Sequence, residues 1–189
     1  MPLSNLEIVR ERIHARHITV EGFRRDDGLW DIEGCLLDTK DHDFNLYRGV
    51  RLAGEAVHCM RVRWTIDSTL TILAVEAVMD ALPYPGVCDA IQERYQKLIG
   101  LRVGSGFRRA VNERFGRENG CSHITELVGA MAAGTVQTLA PYLHKESNTQ
   151  PFQIGGCHAW AQDGPLVREH YPQWYSREET NGTDGKLRA

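Results

Sequence analysis

No stretch of this sequence approaches the roughly 20 consecutive apolar residues that a membrane-spanning helix needs. The opening MPLSNLEIVRER also lacks the apolar core of a secretory leader. The expectation is a cytoplasmic protein without a membrane partner. An excess of one charge is missing too, since 22 Lys and Arg against 25 Asp and Glu leave a formal net charge of −3. With the two signs interspersed, no bulk field draws nucleic acid. The five cysteines (35, 59, 88, 121 and 157) are odd in number, scattered and without a C-x-x-C pair. In a reducing compartment that pattern argues against a disulfide framework and leaves thiols as core filler, ligands or nucleophiles. No G-x-S-x-G elbow supports serine hydrolysis, and GLRVGSGFRR carries Gly-x-Gly without the full dinucleotide fingerprint. There is no internal repeat.

What is present reads as strands followed by helices. At 189 residues the chain suits one well-cored domain with an added lobe. IHARHITVEGFRR (13–25) and LWDIEGCLLDT (29–39) flank Asp26-Asp27-Gly28, and an Asp-Gly step between such runs is a strong hairpin pattern. A two-residue turn at 27–28 sets Cys35 opposite Val20 and Leu37 opposite Ile18, with Cys35 as a small core residue. After the charged loop KDHDFNLYRG, EAVHCMRVRWTID (55–67) and LTILAVEAVMD (70–80) make a second hairpin. Alternation puts His58, Met60, Val62, Trp64 and Ile66 on one face, and Val57, Cys59, Arg61, Arg63 and Thr65 on the other. A two-residue turn at 68–69 pairs Arg61 with Glu76 and sets the His58 face against Leu73, Val75, Ala77 and Met79.

Helices are expected over 88–100, with Gly100 as the residue past its end, over 106–116 and over 121–143. The last carries Gly129, Ala130, Ala132, Ala133 and Gly134 in its middle, which lets a sheet or helix approach closely. HKESNTQP (144–151) reads as a polar linker. The fold class is therefore α+β, an antiparallel sheet from two β-hairpins packed against three helices. Its expected divisions are a domain over 1–143, a C-terminal extension over 144–175 packing on it, and a disordered tail over 176–189.

Cys88 and Cys121 each stand at an expected helix N-terminus, where free backbone N–H groups and the helix dipole favour a thiolate. With His58 from the inner face of the second hairpin, they could converge on one metal ion. The competing reading makes all three buried core residues. Cys121 and His123 are two residues apart, about 200° around a helix axis, so both face one ion only if Cys121 precedes the helix. Ser122 as N-cap would give that arrangement, leaving Cys121 extended and His123 on the first turn as fourth ligand or acid/base. The same thiols and imidazoles also suit a cysteine nucleophile. Asp38, Asp41, His42 and Asp43 could hold a hard cation, although a solvated loop is the more ordinary use. Cys157 and His158 are adjacent and in extended backbone point opposite ways. Arg61, Arg63, Arg108 and Arg109 could bind an anionic group, though surface arginines usually do less.

DGLWDIEG (27–34), HCM (58–60), PYPGVC (83–88), GCSH (120–123) and YPQWY (171–175) together resemble a bacterial family classed as a domain of unknown function, over nearly the whole chain except the last dozen residues. That family more often has His-Asp-Met where this chain has His58-Cys59-Met60, and Thr where it has Ser122. Cys59, in place of an Asp, is itself a competent ligand. The resemblance points towards aromatic or acyl-compound catabolism and supplies no reaction. Residues 55–140 are also similar in topology to iron–sulfur scaffold proteins of the NifU and IscU type. Those carry a ligand before a hairpin, a cysteine at the turn into the next helix and another opening a later helix. His58, Cys88 and Cys121 follow that order, with one Cys replaced by His and Cys59 near the scaffold's Asp. This likeness implies a metal site of His58, Cys88 and Cys121 with Cys59 close by; in the enzyme reading His123 is the proton-moving catalytic residue.

The resulting expectation is a metal-binding enzyme acting on a small, anionic molecule, with zinc first and iron or an iron–sulfur cluster as alternatives. An iron–sulfur or sulfur-transfer scaffold, or a purely structural metal module, is the competing reading. The aromatic-rich tail (Trp160, Tyr171, Trp174, Tyr175) would wall a pocket, pack on itself or bury a homodimer contact.

Overall fold

The first long hairpin, β1 (His14–Arg24) and β2 (Trp30–Lys40), closes through the backbone of Arg25, whose N–H donates to Leu29 O at 2.9 Å, with Gly28 at φ +84°. The structure is a computed structural model that describes residues 3–4, 7–47, 49–143 and 149–176. The turn thus holds three residues, Asp26 to Gly28, with glycine in the left-handed conformation that such loops require. One extra turn residue shifts the expected register by one: Cys35 faces Thr19, and Leu36 faces Ile18. A slip of one exchanges the faces of a strand. The buried row of β2 is therefore Trp30, Ile32, Gly34, Leu36 and Asp38, and Cys35 lies on the opposite face rather than in the core.

The second long hairpin pairs β5 (Ala56–Ile66) with β6 (Ile72–Ala81). Its turn also departs from expectation. Asp67 Oδ1 accepts from the N–H groups of Thr69 (2.9 Å) and Thr71 (3.0 Å), and Leu70 sits at φ +67°. Here the register moves by two, so Arg63 rather than Arg61 faces Glu76, and Arg61 faces Val78. Arg63 and Glu76 form an ion pair, while Arg61 Nε reaches Asp80 Oδ2 at 2.6 Å. A slip of two preserves the faces. Val75, Ala77 and Met79 remain on the side of Met60, Val62 and Trp64, whereas Leu73, beside an irregularity at Thr65/Ile66, is exposed.

The four long strands form one antiparallel sheet in the order β1-β2-β5-β6. The charged loop between β2 and β5 contains a small two-stranded sheet of its own, β3 (Phe44–Leu46) and β4 (Gly49–Arg51). Helical segments follow: a 3₁₀ helix Asp89–Leu98, α1 (Phe107–Phe115), a short 3₁₀ turn Arg117–Asn119 and α2 (Ser122–Leu139). Gly100 (φ +82°) stands one residue past the 3₁₀ helix's cap, Ile99. The expected α+β class, two hairpins of antiparallel sheet with helices against it, is the observed one.

Helix α2 crosses the inner face of the sheet over β1, β2 and β5. The close approach expected of its small residues occurs at Gly134, where a Cβ would stand 2.4 Å from Val20 Cγ1, and across the gap at Gly34, where one would stand 2.7 Å from Met131. Trp64, Ile32, Leu36, Met60, Leu127, Val128 and Met131 fill the interior between them. Trp64 Nε1 donates to Thr135 Oγ1 at 3.2 Å, satisfying the indole in the core.

The chain divides into two compact units, 1–143 and 144–189. In the second, α3 (Pro165–His170) follows a short turn in which Trp160 lies 5.8 Å from the ring of Tyr171 and 6.3 Å from that of His170. Cys157 is exposed there. The expected linker falls partly, and the tail over 176–189 almost wholly, outside the described residues. No helix among those described is long and apolar enough to cross a membrane.

Candidate metal centre

Asp38 is the last inward-facing carboxylate of β2 and pairs directly with His58 of β5, next to a bulge between Asp38 and Thr39. Bulges re-aim side chains at such places. His58 Nδ1 lies 3.0 Å from Asp38 Oδ2. From the other side α2 delivers His123, whose Nε2 is 3.6 Å from the same oxygen and whose ring stacks on His58 at 3.7 Å between centroids. Among the described residues this is the group of three His, Cys, Asp or Glu side chains whose ligand atoms all lie within 4.8 Å of one another.

The N-terminus of α2 is fixed by Tyr95 of the 3₁₀ helix. Its hydroxyl accepts from Cys121 N–H at 2.9 Å and lies 3.0 Å from both Cys121 O and Thr125 Oγ1. Gly120 is required beneath it, because a Cβ there would come within 2.5 Å of Phe115 O and 3.0 Å of the Tyr95 hydroxyl. Cys121 itself is the N-cap, extended at φ −88° and ψ 127°, with no side-chain cap bond. The expected extended Cys121 is present, but the cap lies one residue earlier than Ser122, so His123 is the second helical residue. That turns its Nε2 inward and leaves Nδ1 3.7 Å from Cys121 Sγ.

Asp38 is only 3% exposed and heavily partnered. Arg16 of β1 grips it with two bonds, Nε to Oδ1 at 2.7 Å and Nη2 to Oδ2 at 2.8 Å, and in turn pairs with Glu126 of α2. His14 Nε2 stands 3.3 Å from Oδ1. Burial alone would raise the carboxyl's pKa, but the Arg16 bonds and charge, with the two imidazoles, hold it at about 2. Both imidazoles are likewise held below their ordinary range. Burial, followed by the proximity of His123, lowers His58, and burial lowers His123 against the pull of Asp38. At neutral pH the group is one carboxylate and two neutral imidazoles, the states in which these side chains ligate metals. Arg16 does not consume the acceptor capacity of Asp38, since a carboxylate has about four lone-pair sites and Oδ2 faces both imidazoles.

The structure brings together His58 and His123 from the expected residues and sets Cys121 beside the latter. It does not bring Cys88 or Cys59 into the group. Cys59 follows His58 and so points to the other face of the sheet, where its Sγ is 3.7 Å from Asp80 Oδ2. Burial, then Cys35 and Asp80, push its thiol up to about 11, unlike a ligand thiolate. Cys88 caps the 3₁₀ helix in helical conformation, partly buried against the core. Asp38 was expected in a solvated loop with Asp41, His42 and Asp43; it is instead a buried strand residue, while Asp41 pairs with exposed Arg12 at 2.5 Å. Counting by twos from Trp30 would have put Asp38 inward, and only the turn length hid that row. Arg16 and His14 left no comparable trace, because an exposed strand end and a carboxylate clamp look alike in sequence.

No curated protein and no solved structure matches the chain, and the expected likeness to iron–sulfur scaffold proteins is not shown. A family model described as "Protein of unknown function (DUF2889)" matches residues 14–137, from the first strand through the last helix of the first unit. It spans all three residues of the candidate centre, and the chain belongs to that family.

Proposed function

We propose that the protein is a metal-dependent enzyme acting on a small molecule, with the ion held by Asp38, His58 and His123. The observation that carries this reading is the convergence of the three ligand atoms within 4.8 Å, two of them from imidazoles kept neutral by burial. Two histidines and a carboxylate suit zinc first and iron(II) second, and three protein ligands leave a position for water or substrate. An ion in such a site supplies a Lewis acid and a water of lowered pKa.

The chain's own residues divide the remaining work. Arg16 holds Asp38 in one orientation, as partners of ligating carboxylates do. Cys121 faces the free nitrogen of His123 and fixes its ring, which moves His123 from the expected proton carrier to a ligand. His14, 42% exposed at the rim, takes the proton-moving role. The absence of sulfur from the group disfavours a cluster scaffold, since iron–sulfur centres are held by thiolates.

The test is elemental analysis with cobalt or zinc titration of the purified protein. One equivalent of divalent metal is expected, lost in Asp38→Ala, His58→Ala and His123→Ala and retained in Cys59→Ser and Cys88→Ser. A protein that binds no transition metal, or whose three alanine variants bind it as well as the parent, would sink the reading.

One further arrangement favours a second reading. Cys121 Sγ, His123 Nδ1, His123 Nε2 and Asp38 Oδ2 follow one another at 3.7 Å across the thiol–imidazole gap and 3.6 Å across the imidazole–carboxylate gap, the order of a nucleophile, its base and an orienting acid. In that case Cys121 is selectively alkylated in a His123-dependent manner and metal binding is absent.

A further inference from the structure

An open groove of about 510 Å³ lies beside α2, walled by Ile18 of β1 and by Phe107, Arg108, Val111 and Asn112 of α1. Its volume falls in the range of small-molecule sites, about 300–1,000 Å³. The floor is the stripe Glu126, Ala130 and Ala133. Their spacing of four and three continues from His123, three residues before Glu126, so the groove's floor and the candidate centre share one face of one helix. Glu126 joins the two, since it lines the groove and pairs with Arg16, which holds Asp38. Ile18 is two residues beyond Arg16 on the same face of β1.

Charge distinguishes the groove's occupant. Of the four arginines considered as anion binders, Arg61 is paired with Asp80, Arg63 with Glu76 and Arg109 with Glu113. Arg108 lines the groove and has neither a hydrogen bond nor an ion pair among the described residues. Asn112, one helical turn further on, lines it as well. The acid in the groove, Glu126, is already committed to Arg16. A cation without an acid, an amide beside it, and walls of Ile18, Phe107, Val111 and alanine fit an apolar body ending in a carboxylate.

We infer that this groove is the substrate channel of the candidate centre and takes an apolar monocarboxylate, its carboxylate on Arg108 and Asn112 and its body along Ala130 and Ala133. The inference rests on the metal-enzyme reading for what happens at the far end, but not for binding itself. Calorimetric titration of the full chain, zinc-loaded and metal-free, with octanoate, benzoate, 1-octanol and octylammonium provides the test. At least one carboxylate should bind more tightly than the alcohol, and octylammonium weakest.

Arg108→Ala should weaken the carboxylate by about tenfold or more and leave the alcohol unchanged, since bonds to a charged group carry the difference. Ala133→Leu, an exposed position where the longer side chain enters the groove, should abolish binding of carboxylate and alcohol alike. Both variants should keep the parent's metal stoichiometry and circular dichroism. No binding by either carboxylate, or binding indifferent to both Arg108→Ala and Ala133→Leu, overturns the channel even if the metal is present. Carboxylate binding that follows these variants in a protein without metal supports the groove and removes the centre.

Discussion

His58 and Cys59 are neighbours in the chain and both are competent metal ligands, yet they end in opposite chemistry. His58 turns to the helix-covered face of the sheet, where Asp38 and His123 meet it; Cys59 turns to the other face, beside Asp80 and Cys35. The inner face gathers its polar groups around one buried carboxylate, so each group there constrains the others. The outer face spreads charge over exposed groups such as Arg63, whose side chain is 50% exposed between Glu76 and Glu33. Residue identity is therefore a poor guide to the site. What counts is whether the side chain is taken out of water together with its partners.

The contrast is broken most strongly by removing the shared carboxylate. Asp38→Ala takes a buried carboxylate from the partly exposed Arg16 and from two imidazoles, and chemical denaturation should show a loss of about 3 kcal/mol. Asp80→Ala on the outer face should leave the denaturation midpoint near that of the parent. A smaller effect comes from the space between sheet and helix. Gly34→Ala drives a methyl into Met131 and should cost about 1–3 kcal/mol by the same measurement.

Acid sharpens the comparison through the inner face alone. His58 and His123 have folded pKa values below the ordinary 6.5, so the unfolded chain binds protons first and stability declines as pH falls below that value. Asp38 adds a second loss, since its folded pKa of about 2 lies under the ordinary 3.8: its contribution is complete above the latter and disappears as pH falls through the former. Thermal melts of metal-free protein from pH 7 to 3 should fall throughout, and Asp38→Asn should flatten the lower part. The smallest effect belongs outside. Arg63→Ala should change stability by no more than about 1 kcal/mol, less in high salt.

Sequence pattern reached much of the fold because the two hairpins and α2 announce themselves by alternation and by turn or small residues. The two turns were misjudged alike and with unequal consequences. In the second hairpin the error was two residues, which preserves faces, so His58 was correctly placed inward with Met60 and Trp64. In the first it was one residue, which exchanged the faces of β2 and hid Asp38 while promoting Cys35 to the core. That one residue is the difference between a ligand set built on thiols and one built on imidazoles and a carboxylate. Cys121 is legible as an extended residue because Ser122 reads as a good N-cap, although the cap proves to be Cys121 itself; that Tyr95 holds it there leaves no trace in the sequence.

By itself, then, the sequence determined the four long strands and the helical stretches after them, though not the small β3–β4 sheet, together with the inward row of β5, the approach of α2 to the sheet and membership of a family without an assigned reaction. These follow from local periodicity and from the steric needs of glycine and alanine. Only the tertiary structure decided the company His58 keeps. Arg16, Asp38, His58 and His123 come from three strands and a helix, and their meeting depends on turn length, a bulge and a helix cap. Each of those is set by hydrogen bonds, the helix cap by the Tyr95 hydroxyl, that the order of residues constrains but does not display.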